Sequence, residues 1–173
     1  MEMNFSHLIN EQTSLTYGYQ LLGNDISHAF TNANQDWSLT LNQKHLYNIS
    51  HVGYAQLKYN HRDWNLQAGA RFNHYTHILT NSFEPRLSIQ KTFAAYWHGH
   101  LTYEKKSQIM SQIQESVTND LSLENYVWVL SDQADYPMIT GQQITGGITY
   151  KRNNWLLDAD LYYKNTTGIT SLT

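Results

Sequence analysis

The feature that most constrains this chain is an alternation of apolar and polar residues with a period of two. From Trp64 the even positions are Trp64, Leu66, Ala68, Ala70 and Phe72, and between them lie Asn65, Gln67, Gly69, Arg71 and Asn73. From Trp155 one set is Trp155, Leu157, Ala159, Leu161 and Tyr163, against Leu156, Asp158, Asp160, Tyr162 and Lys164. From Trp97 one face holds Trp97, Gly99, Leu101 and Tyr103, and the other His98, His100, Thr102 and Glu104. Successive side chains of a strand point to opposite faces, so the pattern predicts strands with one greasy and one polar side. Weaker alternation at 15–22, 52–60, 86–93 and 142–151, with a further strand at 3–9, brings the expectation to about seven or eight strands.

The connections follow a rule of their own. Short polar turns are expected near Asn10–Gln12, His61–Asp63, Ala94–Tyr96 and Arg152–Asn154, and longer segments near 23–46, 74–84 and 105–140. Strand, short turn, strand, long loop is the order of an up-and-down barrel with tight turns on one rim and long loops on the other. Sandwiches with Greek-key connections rarely keep that order. The predicted fold is therefore all-β: an antiparallel, up-and-down transmembrane β-barrel segment, incomplete as a barrel.

Aromatic residues mark the short-turn rim. Tyr59 and Trp64 flank one turn, Phe93 and Trp97 the next, and Tyr150 and Trp155 the last, with each pair on the apolar face. Rings at one level would form a girdle at a membrane interface, where a ring with a polar tip is at home. Phe72 and Tyr163 follow Trp64 and Trp155 by eight residues, roughly 26 Å along a strand. Tilted, that length spans most of an apolar band about 25 Å tall.

Composition agrees with this reading and narrows the alternatives. Apolar residues are 40% of the 173, and no run approaches the length of a membrane helix. A barrel escapes that test, because only every second residue meets lipid. There are 13 Tyr and 5 Trp against 5 Phe, which favours interfaces. The absence of Cys excludes disulfides and thiolate metal sites. A net charge of −3 shows no basic surplus of the kind nucleic-acid binders carry. Met1-Glu2-Met3-Asn4 is not a secretory signal, and the expectation is that the chain begins inside a longer protein. The same alternation also fits a soluble β-sandwich or a lipocalin-like barrel whose apolar face turns inward.

A family resemblance adds to this. Tyr126-Val127-Trp128-Val129-Leu130-Ser131-Asp132, Tyr136-Pro137-Met138-Ile139 and the stretch from Gly141 to Thr173 resemble the C-terminal part of a TonB-dependent outer-membrane receptor of the Bacteroidetes type. Within them, Gly147-Ile148-Thr149-Tyr150 and Trp155 to Lys164 carry most of the likeness, and Leu15 to Tyr19 and Glu84 to Ser88 resemble strands of the same barrels. The resemblance implies a cell outer-membrane location and uptake of a scarce ligand such as a siderophore, cobalamin or a glycan. It implies about 22 strands in the whole barrel, a plug, and coupling to the TonB complex. Residues 1–173 would be part of the barrel domain, without plug or TonB box; coupling would run through the missing N-terminal part. A porin, an adhesin or a soluble binding domain are the other readings.

No catalytic constellation or cofactor motif is legible. Asp158 and Asp160 share a strand face, as polar barrel-wall residues do. His98 and His100 are also two apart on one face, a spacing that can hold a transition metal but that equally describes two wall residues; no metal site is assigned. The long segment 105–140 is the best candidate for ligand contact, through Tyr126, Trp128 and Tyr136. Ile109 and Ile113 predict a short helix there. Gly18, Gly53, Gly69, Gly99, Gly146 and Gly147 fall inside strands, where glycines permit bends or close packing.

Overall fold

The computed structural model describes residues 1–34, 37–115 and 125–169; of these, 27–34, 37–45, 113–115 and 125–127 are described in backbone only. The strands are β1 (Glu2–Asn10), β2 (Thr13–Asn34), β3 (Trp37–His61), β4 (Trp64–Tyr75), β5 (Thr80–Ala94), β6 (Trp97–Gln108), β7 (Met110–Glu115), β8 (Asn125–Leu130), β9 (Ile139–Arg152) and β10 (Trp155–Thr167). Eight of them form one antiparallel sheet in the order β1-β2-β3-β4-β5-β6-β9-β10, and β7 and β8 pair as a separate hairpin. Every strand read from the alternation is present. Among the described residues there is no helix, and so none long and apolar enough to cross a membrane.

The four short turns fall where polar residues interrupt the alternation. Asn10 pairs with Thr13, His61 with Trp64, Ala94 with Trp97 and Arg152 with Trp155, each around a two-residue loop. Arg62 and Asn153 open two of these loops at φ 51° and 52°. Left-handed backbone of this kind suits Asn better than Arg. Successive turns are tied along the rim: Asn60 N–H donates to Gln12 O, Thr92 N–H to Asp63 O and Lys151 N–H to Tyr96 O, at 2.8–2.9 Å.

The long segments depart from expectation. The long loop expected at 23–46 does not form over its described residues: β2 and β3 continue as a paired ribbon as far as Asn34 opposite Trp37, with one register shift between Phe30 and Thr31. The sequence there is rich in Asn, Thr, Ser and Gln, and only Trp37, Leu39 and Leu41 alternate with polar residues, a short run that the expectation of a loop at 23–46 leaves out of account; the two backbones satisfy each other's hydrogen bonds. Between β4 and β5 only Thr76–Leu79 turn. The helix predicted at Ile109 and Ile113 does not form. β6 runs to Gln108, the chain bends at Ile109, and β7 begins at Met110. A spacing of four residues is also a multiple of two, so those two isoleucines fit a strand as well as a helix turn.

The buried core is small and lies at the long-segment rim. Ile26, Tyr75, Ile109 and Leu130 pack together, flanked by Leu46, Ile78, Met110 and Met138. The β7–β8 hairpin therefore folds inward against β2 and the end of β4. Among the described residues nothing comparable covers the rest of the sheet. The accessible area is 12652 Å² for 20.2 kDa, whereas a compact monomer of that mass exposes about 8,800 Å².

Candidate functional surface: the two faces of the sheet

Residues opposite each other in the ladder share a face, so the register alone sorts the side chains. Tyr59, Leu66, Ile89, Leu101, Gly146 and Leu161 form one cross-strand row. Leu15, Leu57, Ala68, Leu87, Tyr103, Ile144 and Tyr163 form the next. These rows are exposed: Leu101 is 50% accessible and Leu161 83%. No second sheet among the described residues packs on them.

The aromatic residues singled out from the sequence are brought together at the short-turn rim of this same face. Trp64, Trp97 and Trp155 are 41%, 41% and 70% exposed, and none joins the buried core. Trp97 and Tyr150 have ring centroids 4.8 Å apart, and Tyr96 meets Tyr150 edge-on at 6.4 Å. The Phe93 ring lies over Gly99, filling the place of its missing Cβ. Tyr59 stacks with His61 at 6.1 Å. Lys91 Nζ sits 4.4 Å from the Trp64 ring and the Arg152 guanidinium 4.9 Å from Tyr96. Long cationic side chains that lie over rings keep their stems on apolar surface and their charges at its edge.

The far edge of the apolar band is a polar row that sequence reasoning missed. His51, His74 and Asn81 stand side by side on the same face. Tyr19 Oη meets His51 Nδ1 at 2.5 Å, and His74 Nδ1 meets Asn81 Oδ1 at 2.7 Å. Across the sheet Lys105, Gln142 and Asn165 continue the boundary. Just inside it lie Phe72 and Phe83, paired and about half exposed.

The reverse face is polar and concave. A hollow of about 550 Å³ is lined by Leu22 and Asn24 of β2 and by Lys164 and Thr166 of β10. In a flat sheet of this order those strands would lie about 29 Å apart, so the sheet bends round this side. A neighbouring hollow of about 670 Å³ shares Arg71, Arg86 and Glu104 and reaches Glu2 on β1. Side chains cross strands here: Arg71 Nη2 donates to Gln20 Oε1 at 3.1 Å, Tyr54 Oη to Glu2 Oε1 at 3.3 Å, and Gln56 Nε2 to Gln67 Oε1 at 3.0 Å.

Two of the strand glycines explain such crossings. Gly18 lies between Asn4 and Tyr54, and a Cβ there would run into Tyr54 Oη and the Met3 carbonyl. Gly147 lies between His100 and Asp160, and a Cβ there would collide with both side chains. The glycines thus hold side chains of neighbouring strands. His98 and His100 do share the polar face but have separate partners: His98 Nδ1 meets Thr92 Oγ1 at 2.9 Å, and His100 Nε2 meets Asp160 Oδ1 at 3.4 Å. Asp158 accepts from Thr149 Oγ1 at 2.5 Å. Among the described residues no three His, Asp or Glu side chains gather as a metal would require.

The loop residues expected to contact ligand are not gathered into one site. Trp128 is half exposed on β8, opposite Gln112. The Tyr126 side chain lies outside the described residues. Tyr136 closes a tight turn: its N–H and that of Ala134 donate to Asp132 Oδ1 at 2.8 and 3.0 Å, while Ser131 Oγ donates to the Tyr136 carbonyl at 2.7 Å. The Tyr136 N–H bond, the largest influence, holds the Asp132 carboxyl below its ordinary range.

No family model, curated protein or solved structure matches the chain.

Proposed function

We propose that this chain is a segment of the barrel of an outer-membrane transporter resembling the TonB-dependent receptors, and that it contributes lipid-facing wall and polar lumen to the uptake of a scarce ligand. The single observation that carries the reading is the exposed apolar band bounded by Trp64, Trp97 and Trp155 at one end and by His51, His74 and Asn81 at the other, backed by a concave polar face. Along β4 the band from Trp64 to Phe72 measures roughly 26 Å, which a tilt of about 45° turns into a height of about 18 Å, most of an apolar band about 25 Å tall.

Two further features support it. The outer ladder groups of β1 and β10 have no partner strand among the described residues, and in hydrocarbon such edges must be paired by further strands. The β7–β8 hairpin leans over the concave side from the long-segment rim, a position from which loops narrow a barrel mouth. Function here is recognition and passage; the wall makes and breaks no covalent bond.

Tryptophan fluorescence in bilayers containing lipids brominated at defined depths tests the placement. Trp64, Trp97 and Trp155 should be quenched most by bromines near the headgroups. A chain that stays folded and monodisperse in buffer without detergent would overturn the membrane placement. Transport is tested in cells carrying the full-length protein: uptake that stops when the proton-motive force is dissipated supports energy coupling, whereas unchanged flux points to a porin.

A further inference from the structure

We infer that His51 of β3 and His74 of β4 form a two-imidazole chelate for a divalent transition-metal ion of the copper, nickel or zinc class. The site lies on the face opposite the hollows; it goes beyond the transport reading and does not depend on it.

The ladder supplies the geometry. His51 and His74 stand directly opposite each other on neighbouring strands. Their ring centroids are 6.2 Å apart and the ring planes are inclined at 39°. His51 is exposed and His74 half-buried. A tetrahedral ion held by two imidazole nitrogens at about 2.0–2.1 Å sets the ring centres about 5 Å apart, so these rings need to approach by about 1 Å. There is room for that movement. Gly53 lies two residues along β3 from His51 and so on the same face, and a Cβ there would meet nothing within 4 Å. The row Leu21, His51, His74 and Asn81 contains no carboxylate, which suits ions that prefer imidazole and not the oxygen-seeking calcium.

The second observation is which ring nitrogens are already used. His51 Nδ1 meets the Tyr19 hydroxyl and His74 Nδ1 meets Asn81 Oδ1. An amide oxygen only accepts, so His74 Nδ1 carries the proton, and in the neutral ring Nε2 then holds a lone pair. The Tyr19 hydroxyl can accept from His51 Nδ1 in the same way. Neither Nε2 makes a hydrogen bond or ion pair among the described residues. The one buried side-chain nitrogen or oxygen without a partner among them is Asn73 Nδ2, so His74 Nε2 is open to solvent. A ring fixed through its Nδ1–H with Nε2 free is the form in which histidine ligates metals. An enclosed metal centre takes about three or four ligands from the protein, and no such cluster exists among the described residues. Two imidazoles suffice for an exposed chelate whose other positions water fills, because attachment of the second nitrogen is intramolecular. His98 and His100 do not match this arrangement, since His100 Nε2 already faces Asp160.

The test is calorimetric titration of the untagged chain, folded in detergent micelles, with copper(II) and separately with calcium. Saturable copper binding and no saturable calcium binding are expected. His51→Gln and His74→Gln should each weaken copper binding by about tenfold or more, because either change leaves a single ligand. His98→Gln combined with His100→Gln should leave it unchanged. A second readout needs no variant: copper(II) is paramagnetic, so the imidazole resonances of His51 and His74 should broaden before those of the other histidines. Absence of saturable copper binding, unchanged affinity in either single variant, loss of the site only in the His98 and His100 variant, calcium bound as tightly as copper, or broadening that begins at other histidines would overturn the inference. Detergent dependence, read separately, keeps the two ideas apart: a chain that requires detergent but binds no copper loses only the chelate, and a chain soluble without detergent that binds it loses only the membrane.

Discussion

His100 on β6 and Asp160 on β10 meet at 3.4 Å although a whole strand lies between them. The residue of β9 opposite both is Gly147, and the pair occupies the space its side chain would take. With the imidazole protonated the contact is an ion pair, but both partners are partly exposed, which limits what it contributes. Gly147→Ala should separate them at a cost of about 1 kcal/mol or less, because the displaced atoms are the ends of movable side chains. Urea unfolding of Gly147→Ala, His100→Ala and the double variant measures it. The double variant should be little worse than either single one; full additivity would show that the pair is uncoupled.

Gly18 should respond differently. A Cβ there meets the carbonyl of Met3 as well as the Tyr54 hydroxyl, and backbone cannot swing aside. Gly18→Ala should cost about 1–3 kcal/mol, as overpacking does, and should loosen β1 first. Faster amide exchange in Met3–His7 than in β4 would report it. Tyr54→Phe, which keeps the ring over Gly18 and loses only the bond to Glu2, should leave that exchange nearly unchanged.

The turn after β8 should be acid-sensitive. Asp132 is held below its ordinary value of 3.8 mainly by the Tyr136 N–H, so its carboxylate favours the folded turn. That contribution is complete above the unfolded value and disappears as pH falls through the lower folded one. Amide protection at Ala134 and Tyr136 should therefore hold at neutral pH and fall in acid. Asp132→Asn should show weaker protection already at pH 7 and lose the acid dependence.

A pair of neighbouring substitutions distinguishes lipid from water. Leu101 points to the apolar face and Thr102 to the polar one. With Leu101 near the middle of the band, Leu101→Arg should cost about 2–4 kcal/mol in bilayers, while Thr102→Arg should cost far less. Denaturant titrations of both variants in lipid vesicles provide the comparison. Similar small effects would mean that neither face meets hydrocarbon.

The alternation made the eight sheet strands, the four short turns and the level of the rim aromatics legible, because period two and two-residue turns are local properties of the chain. From the sequence, Tyr59, Trp64, Phe93, Trp97, Tyr150 and Trp155 could be assigned to one face before any neighbour was known. Local pattern failed where it was short or ambiguous: in the polar ribbon after Gly23 only Trp37, Leu39 and Leu41 alternate, and the spacing of Ile109 and Ile113 fits two periods. Only the tertiary structure decided which distant residues meet. Seating β9 beside β6 places Gly147 between His100 and Asp160, and bending of the sheet brings β2 and β10 to one hollow. Strand order and curvature depend on pairings across many residues of chain, and alternation along a single strand carries no record of its neighbours.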